Sequence, residues 1–301
     1  WLRAKKISTC VTGLIPVRDI TSGDATKGAS EKRRIPLVIH QTSKTRCLAP
    51  ELTNLVNQWQ NLKGFDYYFH DDDAVDYLLQ QDYPEFPTLK SVIGCIMSPT
   101  LKADLWRYLV LWDYGGIYVD LDSLPNEFYS ENDSSVTIDP DDQGFFVVDH
   151  YHYLSQYFIA VSPRHVLMYY TIQAALSNIL LARDTGNINP ARTTGPTALH
   201  SGLKSFCRDG GVDLPTALTN SQNQKQLGPV SEGVYSGGSG SSIRVVGKED
   251  NQVVHREGLG RGEKNLVYHK MGMQHYSKTR HSTNTSCLVL LYQEANGINA
   301  K

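Results

Sequence analysis

Apolar and polar positions alternate along this chain in blocks that read as strand, helix, strand. "IPLVIHQT" (35–42) is a continuous apolar run, the pattern of a strand buried on both faces. Leu52, Leu55, Val56 and Trp59 follow at helical spacing. "FDYYFH" (65–70) predicts a second strand, and "DDDAVDYLLQQ" (71–81) a helix whose aspartates cap and charge its first turn rather than gather a metal. Ser98 and Pro99 mark another helix start, Gly115-Gly116 its end, and "IYVDLD" a strand after it. "YFIAVS" (157–162) reads as a strand and "RHVLMYYTIQAALSNILLA" as a long helix. "TTGPTALHSGLKSF" reads as a loop and short helix, 219–242 as a long surface loop, and "SIRVVG" and "NLVYHK" as late strands. Strand and helix alternating at this spacing predict an α/β fold. Residues 1–34 read as an N-terminal arm or stem, 35–277 as the main domain and 278–301 as a tail.

Length and charge narrow the function. A chain of 301 residues suits one large α/β domain or two small ones. A net charge of −2 speaks against nucleic acid as a partner. No apolar stretch approaches the roughly 18 residues of a membrane span. The chain starts at Trp1 with no signal-peptide pattern, which leaves two expectations: a removed N-terminal membrane anchor, or a plain truncation. Five scattered cysteines lack a C-x-x-C pair, so zinc is not expected, and their odd number leaves at least one thiol free or paired to another chain. Two glycosylation sequons start at Asn132 and Asn284.

The densest chemistry lies in "WDYGGIYVDLDSLP" (112–125). On a strand, Ile117, Val119 and Leu121 share one face, and Tyr118, Asp120 and Asp122 the other. Carboxylates at i and i+2 sit ~7 Å apart along a strand and converge where the backbone bends. An all-oxygen pair of this kind suits Mg²⁺ or Mn²⁺, which can neutralise a departing diphosphate. The bland alternative is two solvated residues at an exposed strand end. Asp104 and Arg107, at i and i+3 on the preceding helix, are either a surface ion pair or groups reaching toward the same ligand.

"SPTLKADLWRYLVLWDYGGIYVDLDSLP" resembles the sugar-binding D-x-D region of glycosyltransferase family 32, which includes fungal initiating α-1,6-mannosyltransferases. "IPLVIHQTSK" resembles that family's opening strand, "TTGP" (193–196) a downstream T-G-P element, and "VYHKMG" (267–272) a C-terminal histidine element. The resemblance implies a GT-A glycosyltransferase fold, a Rossmann-like mixed sheet flanked by helices. It also implies a retaining, metal-dependent transfer of a sugar, mannose favoured, from a nucleotide-sugar to a glycan or glycolipid acceptor in the Golgi lumen or another secretory compartment. Asp120 and Asp122 would hold Mn²⁺ or Mg²⁺, with His269 as a late ligand and His275 as its competitor. His40, Gln41 and Thr42 would lie under the nucleotide, with Tyr118 beside nucleotide or sugar. Asp104, Arg107, Gln156 and Gly195 would bind the donor, and Asp104, Arg107 and Asp122 would carry the catalysis. GDP-mannose leads as donor, with UDP-sugars open. Ser43 stands where the family often has tryptophan, Gln156 where it has asparagine, and "YHKMGMQHY" lacks a second adjacent histidine and the final tryptophan. A catalytically degenerate sugar-binding module and a haloacid dehalogenase-type phosphatase are the alternatives.

Overall fold

Alternation along the strands divides the interior into two cores, one on each face of a single sheet. The computed structural model describes residues 9–21, 33–125, 138–182, 188–215, 218–220, 225–248, 254–255, 259, 261–273 and 283–296. Among these, seven strands form the sheet: β1 (Val38–Thr42), β2 (Asp66–His70), β3 (Gly116–Val119), β4 (Gly144–Val148), β5 (Leu154–Val161), β6 (Gly233–Ser236) and β7 (Ser242–Lys248). Their spatial order is β6-β7-β4-β5-β3-β1-β2. β2, β1, β3, β4 and β7 run in one direction, while β5 and β6 run against them. β1 lies between β2 and β3, so the chain order reverses beside β1, where open α/β sheets leave a crevice at the carboxyl ends of the strands.

The helices are α1 (Pro50–Gln60), α2 (Asp72–Leu79), α3 (Leu89–Cys95), α4 (Pro99–Tyr114), α5 (Val166–Leu181), α6 (Pro190–Thr193), α7 (Pro196–Asp209), α8 (Arg261–Lys270) and α9 (Thr285–Ala295). Tyr118, Phe146, Ile159 and Val161 face α2, α3, α4, α5 and α7 in the larger core. Ile117, Val119, Phe158 and Ala160 face α1 and α8 in the other. The expected Rossmann-like mixed sheet flanked by helices is what the chain forms.

The helix signals around the site hold. Asp71 caps α2, its Oδ1 accepting from Ala74 N at 3.0 Å. Ser98 caps α4, followed by Pro99. Gly115 (φ 62°) and Gly116 (φ 92°) turn the chain from α4 into β3 in a conformation side chains resist. A Cβ on Gly116 would lie 2.6 Å from the Val38 carbonyl oxygen, so this glycine also lets β3 close on β1.

Three readings need correction. "NLVYHK" lies within helix α8, not a strand: Val267 and Met271, one turn apart, enter the core while Leu266 is 61% exposed. Six residues alone do not separate the two periods. The stretch 219–242 includes strand β6, whose edge position and exposed Val234 explain its weak apolar pattern. Strand β3 ends at Val119, so Asp120 and Asp122 lie in the turn after it, where Ser123 N donates to Asp120 O at 3.1 Å. Within the arm, Cys10 is disulfide-bonded to Cys47, Ile15–Pro16 pairs with Cys47–Leu48, and Ile20 bridges Tyr67. Within the tail, Cys287 of α9 is bonded to Cys95 of α3, and Cys207 is the buried free thiol. The sequon at Asn132 lies outside the described residues; Asn284 caps α9, its Oδ1 accepting from Cys287 N. No helix of the described residues is long and apolar enough to cross a membrane.

Candidate active site

A cleft of about 500 Å³ opens at the carboxyl ends of β1 and β3. Its lining includes Arg107, Tyr118, Asp120 and Asp122 from α4, β3 and the turn after β3, Lys44, Asp72, Asp76, Met97 and Lys102, and Tyr268, Gly272 and Met273 from α8 and the residues after it. The elements explain the placement. β1 ends at Thr42 and delivers Ser43 and Lys44; α4 aims Arg107 inward; the turn after β3 holds the two aspartates.

Arg107 is the hub. It bonds Asp104 at 3.0 Å and Asp120 at 3.3 Å, and donates to the Gln156 carbonyl at 3.1 Å. Its guanidinium lies 4.5 Å from the centre of the Tyr118 ring. Tyr118 in turn donates from its hydroxyl to Asp120 Oδ1 at 2.7 Å. Asp104 is only 4% exposed. Its carboxylate accepts from Arg107, from Gln156 Nε2 at 3.2 Å and from Thr194 Oγ1 at 2.8 Å. Burial pushes the Asp104 carboxyl up, and Arg107 and Thr194 pull it back. Asp104 therefore reaches the cleft through Arg107. The side chain of Gln156 also donates to the Tyr108 hydroxyl at 2.7 Å, and Tyr108 donates to the Thr194 carbonyl at 2.9 Å.

Asp120 and Asp122 differ in their surroundings. The Asp120 side chain is 36% exposed, and its main chain is braced by Gln41 Nε2, which donates to Asp120 O at 3.2 Å. Asp122 is ion-paired to Lys264 of α8, and the two side chains are 16% and 13% exposed. Burial and then the nearby Asp120 push the Asp122 carboxyl up, against the pull of Lys264. Burial, with both aspartates adding to it, likewise raises the Tyr268 phenol.

The other expected residues fall in several places. Thr42 lines the cleft and donates to His70 O at 2.8 Å. His40 and Gln41 are wholly buried beneath it. His40 Nε2 lies 3.2 Å from Gly115 O, and its Nδ1 lies 3.2 Å from His70 Nε2. Gly195 caps α7 at its N-terminus, with its carbonyl accepting from Tyr108. His269 is exposed on α8 and is not among the residues lining the cleft; Tyr268 and Lys264 of that helix reach the site instead. His275 lies outside the described residues. Ser43 stands 3.9 Å from the Met273 sulfur, so a thioether borders the space beside the position where the family often has tryptophan.

Sequence reasoning missed Thr194, Tyr108, Lys264 and Tyr268 as parts of this network. Thr194 sits inside the "TTGP" element and was within reach. Lys264 carried no local signal, because α8 meets the turn after β3 only through tertiary packing.

The donor set offered to a cation is all oxygen. Among the described residues no group of three or more His, Cys, Asp or Glu gathers as a metal site; of the carboxylates lining the cleft, Asp120 and Asp122 are the pair that stands one residue apart in the turn after β3. That fits Mg²⁺ or Mn²⁺, which bind through one or two carboxylates and complete their shell with phosphate and water. It does not fit zinc.

Residues 43–135 match the family described as glycosyltransferase sugar-binding region containing DXD motif. A mannosyl phosphorylinositol ceramide synthase of Saccharomyces cerevisiae is 35% identical over 104 residues, 31% of this chain and 24% of that protein. An initiation-specific alpha-1,6-mannosyltransferase of Candida albicans is 35% identical over 68 residues, 22% of this chain and 17% of that protein. The chain thus spans a quarter or less of the length of these relatives. A solved structure titled PaToxG glycosyltransferase aligns with a TM-score of 0.39 at 18% identity, over 57% of this chain and 68% of that one. The expected resemblance to glycosyltransferase family 32 and its fungal mannosyltransferases is borne out, with residues 43–135 matching the D-x-D sugar-binding region.

Proposed function

We propose that this chain, which carries a glycosyltransferase sugar-binding region, is the catalytic domain of a retaining mannosyltransferase that takes its sugar from GDP-mannose. The observation that carries the reading is the pairing of Asp120 and Asp122 with Arg107 in one cleft at the strand carboxyl ends, inside the matched region. Asp120 and Asp122 are the residues that would hold Mn²⁺ or Mg²⁺. Such an ion, when bound, offsets the charge of a departing diphosphate.

The chain's own groups prepare the site. Arg107, held by Asp104, Asp120 and the Gln156 carbonyl, is a fixed positive charge whose orientation is set before the donor arrives. Asp104, Thr194 and Gln156 are its positioning residues. Thr42, Ser43 and Lys44 offer hydroxyls and an ammonium at the end of β1, where a nucleotide's phosphates approach an open α/β sheet. Met97, 68% exposed, and Pro99 add apolar surface to the cleft lining, suited to a glycan or glycolipid acceptor. Two disulfides agree with a secretory-pathway lumen.

The test is a melting-temperature panel with GDP-mannose, UDP-glucose, UDP-galactose and UDP-N-acetylglucosamine, each with and without Mn²⁺, followed by donor hydrolysis. The expected result is a Mn²⁺-dependent rise and hydrolysis with GDP-mannose, both lost in Asp120→Ala/Asp122→Ala. A rise with UDP-sugars alone would move the donor assignment. No rise with any donor, from folded protein, would replace the enzyme with a degenerate binding module.

A further inference from the structure

Each aspartate of the D-x-D pair already has a cation of its own. Arg107 sits on Asp120 at 3.3 Å, and Lys264 sits on Asp122. The second contact is built into the packing. Val267 and Met271 anchor α8 in the core, 2% and 8% exposed. Lys264 and Tyr268, one turn apart, form the stripe that meets the cleft. The last residue of the helix, Lys270, pairs with Glu51 of α1 at the exposed surface. An exposed ion pair would mean little, but both members of this one are largely buried, and Asp122 lines the cleft.

Charge balance ties the cation to the donor. Asp72, Asp76, Asp104, Asp120 and Asp122 against Lys44, Lys102, Arg107 and Lys264 leave one net negative charge in the site. A divalent cation alone would turn that into one net positive charge in a partly desolvated cleft. A divalent cation together with a nucleotide-sugar diphosphate, which carries two negative charges, leaves the balance unchanged. Like charges at such range repel strongly where water is scarce. Lys264 also occupies an oxygen of Asp122 that the cation needs.

We propose that Lys264 is the resident counter-cation of Asp122, competing with the divalent ion and making its binding depend on the donor's diphosphate. The proposal rests on the assignment of Asp120 and Asp122 as cation ligands. It assigns to α8 a role in the order of binding: the cation enters with the diphosphate rather than before it.

Mn²⁺ binding followed by electron paramagnetic resonance tests it on the whole chain, with no turnover involved. Without nucleotide, Lys264→Met and Lys264→Gln are expected to bind Mn²⁺ about tenfold more tightly than wild type, while Lys264→Arg stays near wild type. With saturating GDP, the difference between wild type and Lys264→Met is expected to shrink to about threefold or less. Circular dichroism verifies that each variant is folded. Equal or weaker Mn²⁺ binding by both neutral variants would overturn the proposal while leaving the cation site standing. Wild type and Asp122→Ala indistinguishable with GDP present would remove the cation site itself, and the proposal with it.

Discussion

At the scale of single residues, the site is a chain of mutual restraints around Arg107. Its guanidinium satisfies a carboxylate, Asp104, that has almost no access to water. Removing the cation would leave that charge buried and unpaired, which costs far more than the pair contributes when intact. Arg107→Met is therefore expected to lose about 3–5 kcal/mol in urea unfolding, and Arg107→Met/Asp104→Leu distinctly less. Equal losses in the two variants would show that Asp104 does not depend on Arg107. The pairing of Asp104 with Arg107 was legible as i, i+3 spacing. Whether it was a surface pair or a buried one was not, because spacing places side chains on a helix face without saying what covers that face.

At the scale of elements, the α4–β3 junction sets where the aspartates stand. Ser98 and Pro99 start α4, and the glycine pair ends it and swings β3 against β1. Gly116→Ala would place a Cβ in a left-handed backbone and against Val38 O, at an expected cost of about 2–4 kcal/mol. Gly94→Ala, in α3 with open space around it, is expected to stabilise by ~0.5–1 kcal/mol, and comparison of the two melting temperatures checks both. These start and stop signals are local, so they can be read directly. α8 reads as a strand in sequence because its buried apolar contacts, Val267 and Met271, fall only at its C-terminal end while the apolar letters beside them imitate a short strand.

At the scale of the whole molecule, buried histidines make the fold sensitive to mild acid. Burial pulls His40 and His165 down to about 4 and His70 well below its usual value. They are neutral in the folded state, whereas the unfolded chain takes up protons near pH 6.5, so stability is full above that pH and falls as pH drops toward 4. A shift of this size corresponds to ~3 kcal/mol for one such histidine. The buried Asp104 and Asp122, pushed up by burial, oppose the trend. Urea unfolding at pH 7.0, 5.5 and 4.5 is expected to show a steady decline; a flat profile would contradict the neutral His40–His70 pair. By itself, the sequence determined the strands around the cleft, the capped helices α2 and α4, the glycine turn and the carboxylate pair, because periodicity, caps and left-handed turns are local physics. Only the tertiary structure decided that Asp104 is buried, that Thr194 and Gln156 hold it, that Cys95 bonds Cys287, and that Lys264 lies on Asp122. Those contacts join segments far apart in the chain, and which surfaces meet is settled by packing the whole core at once.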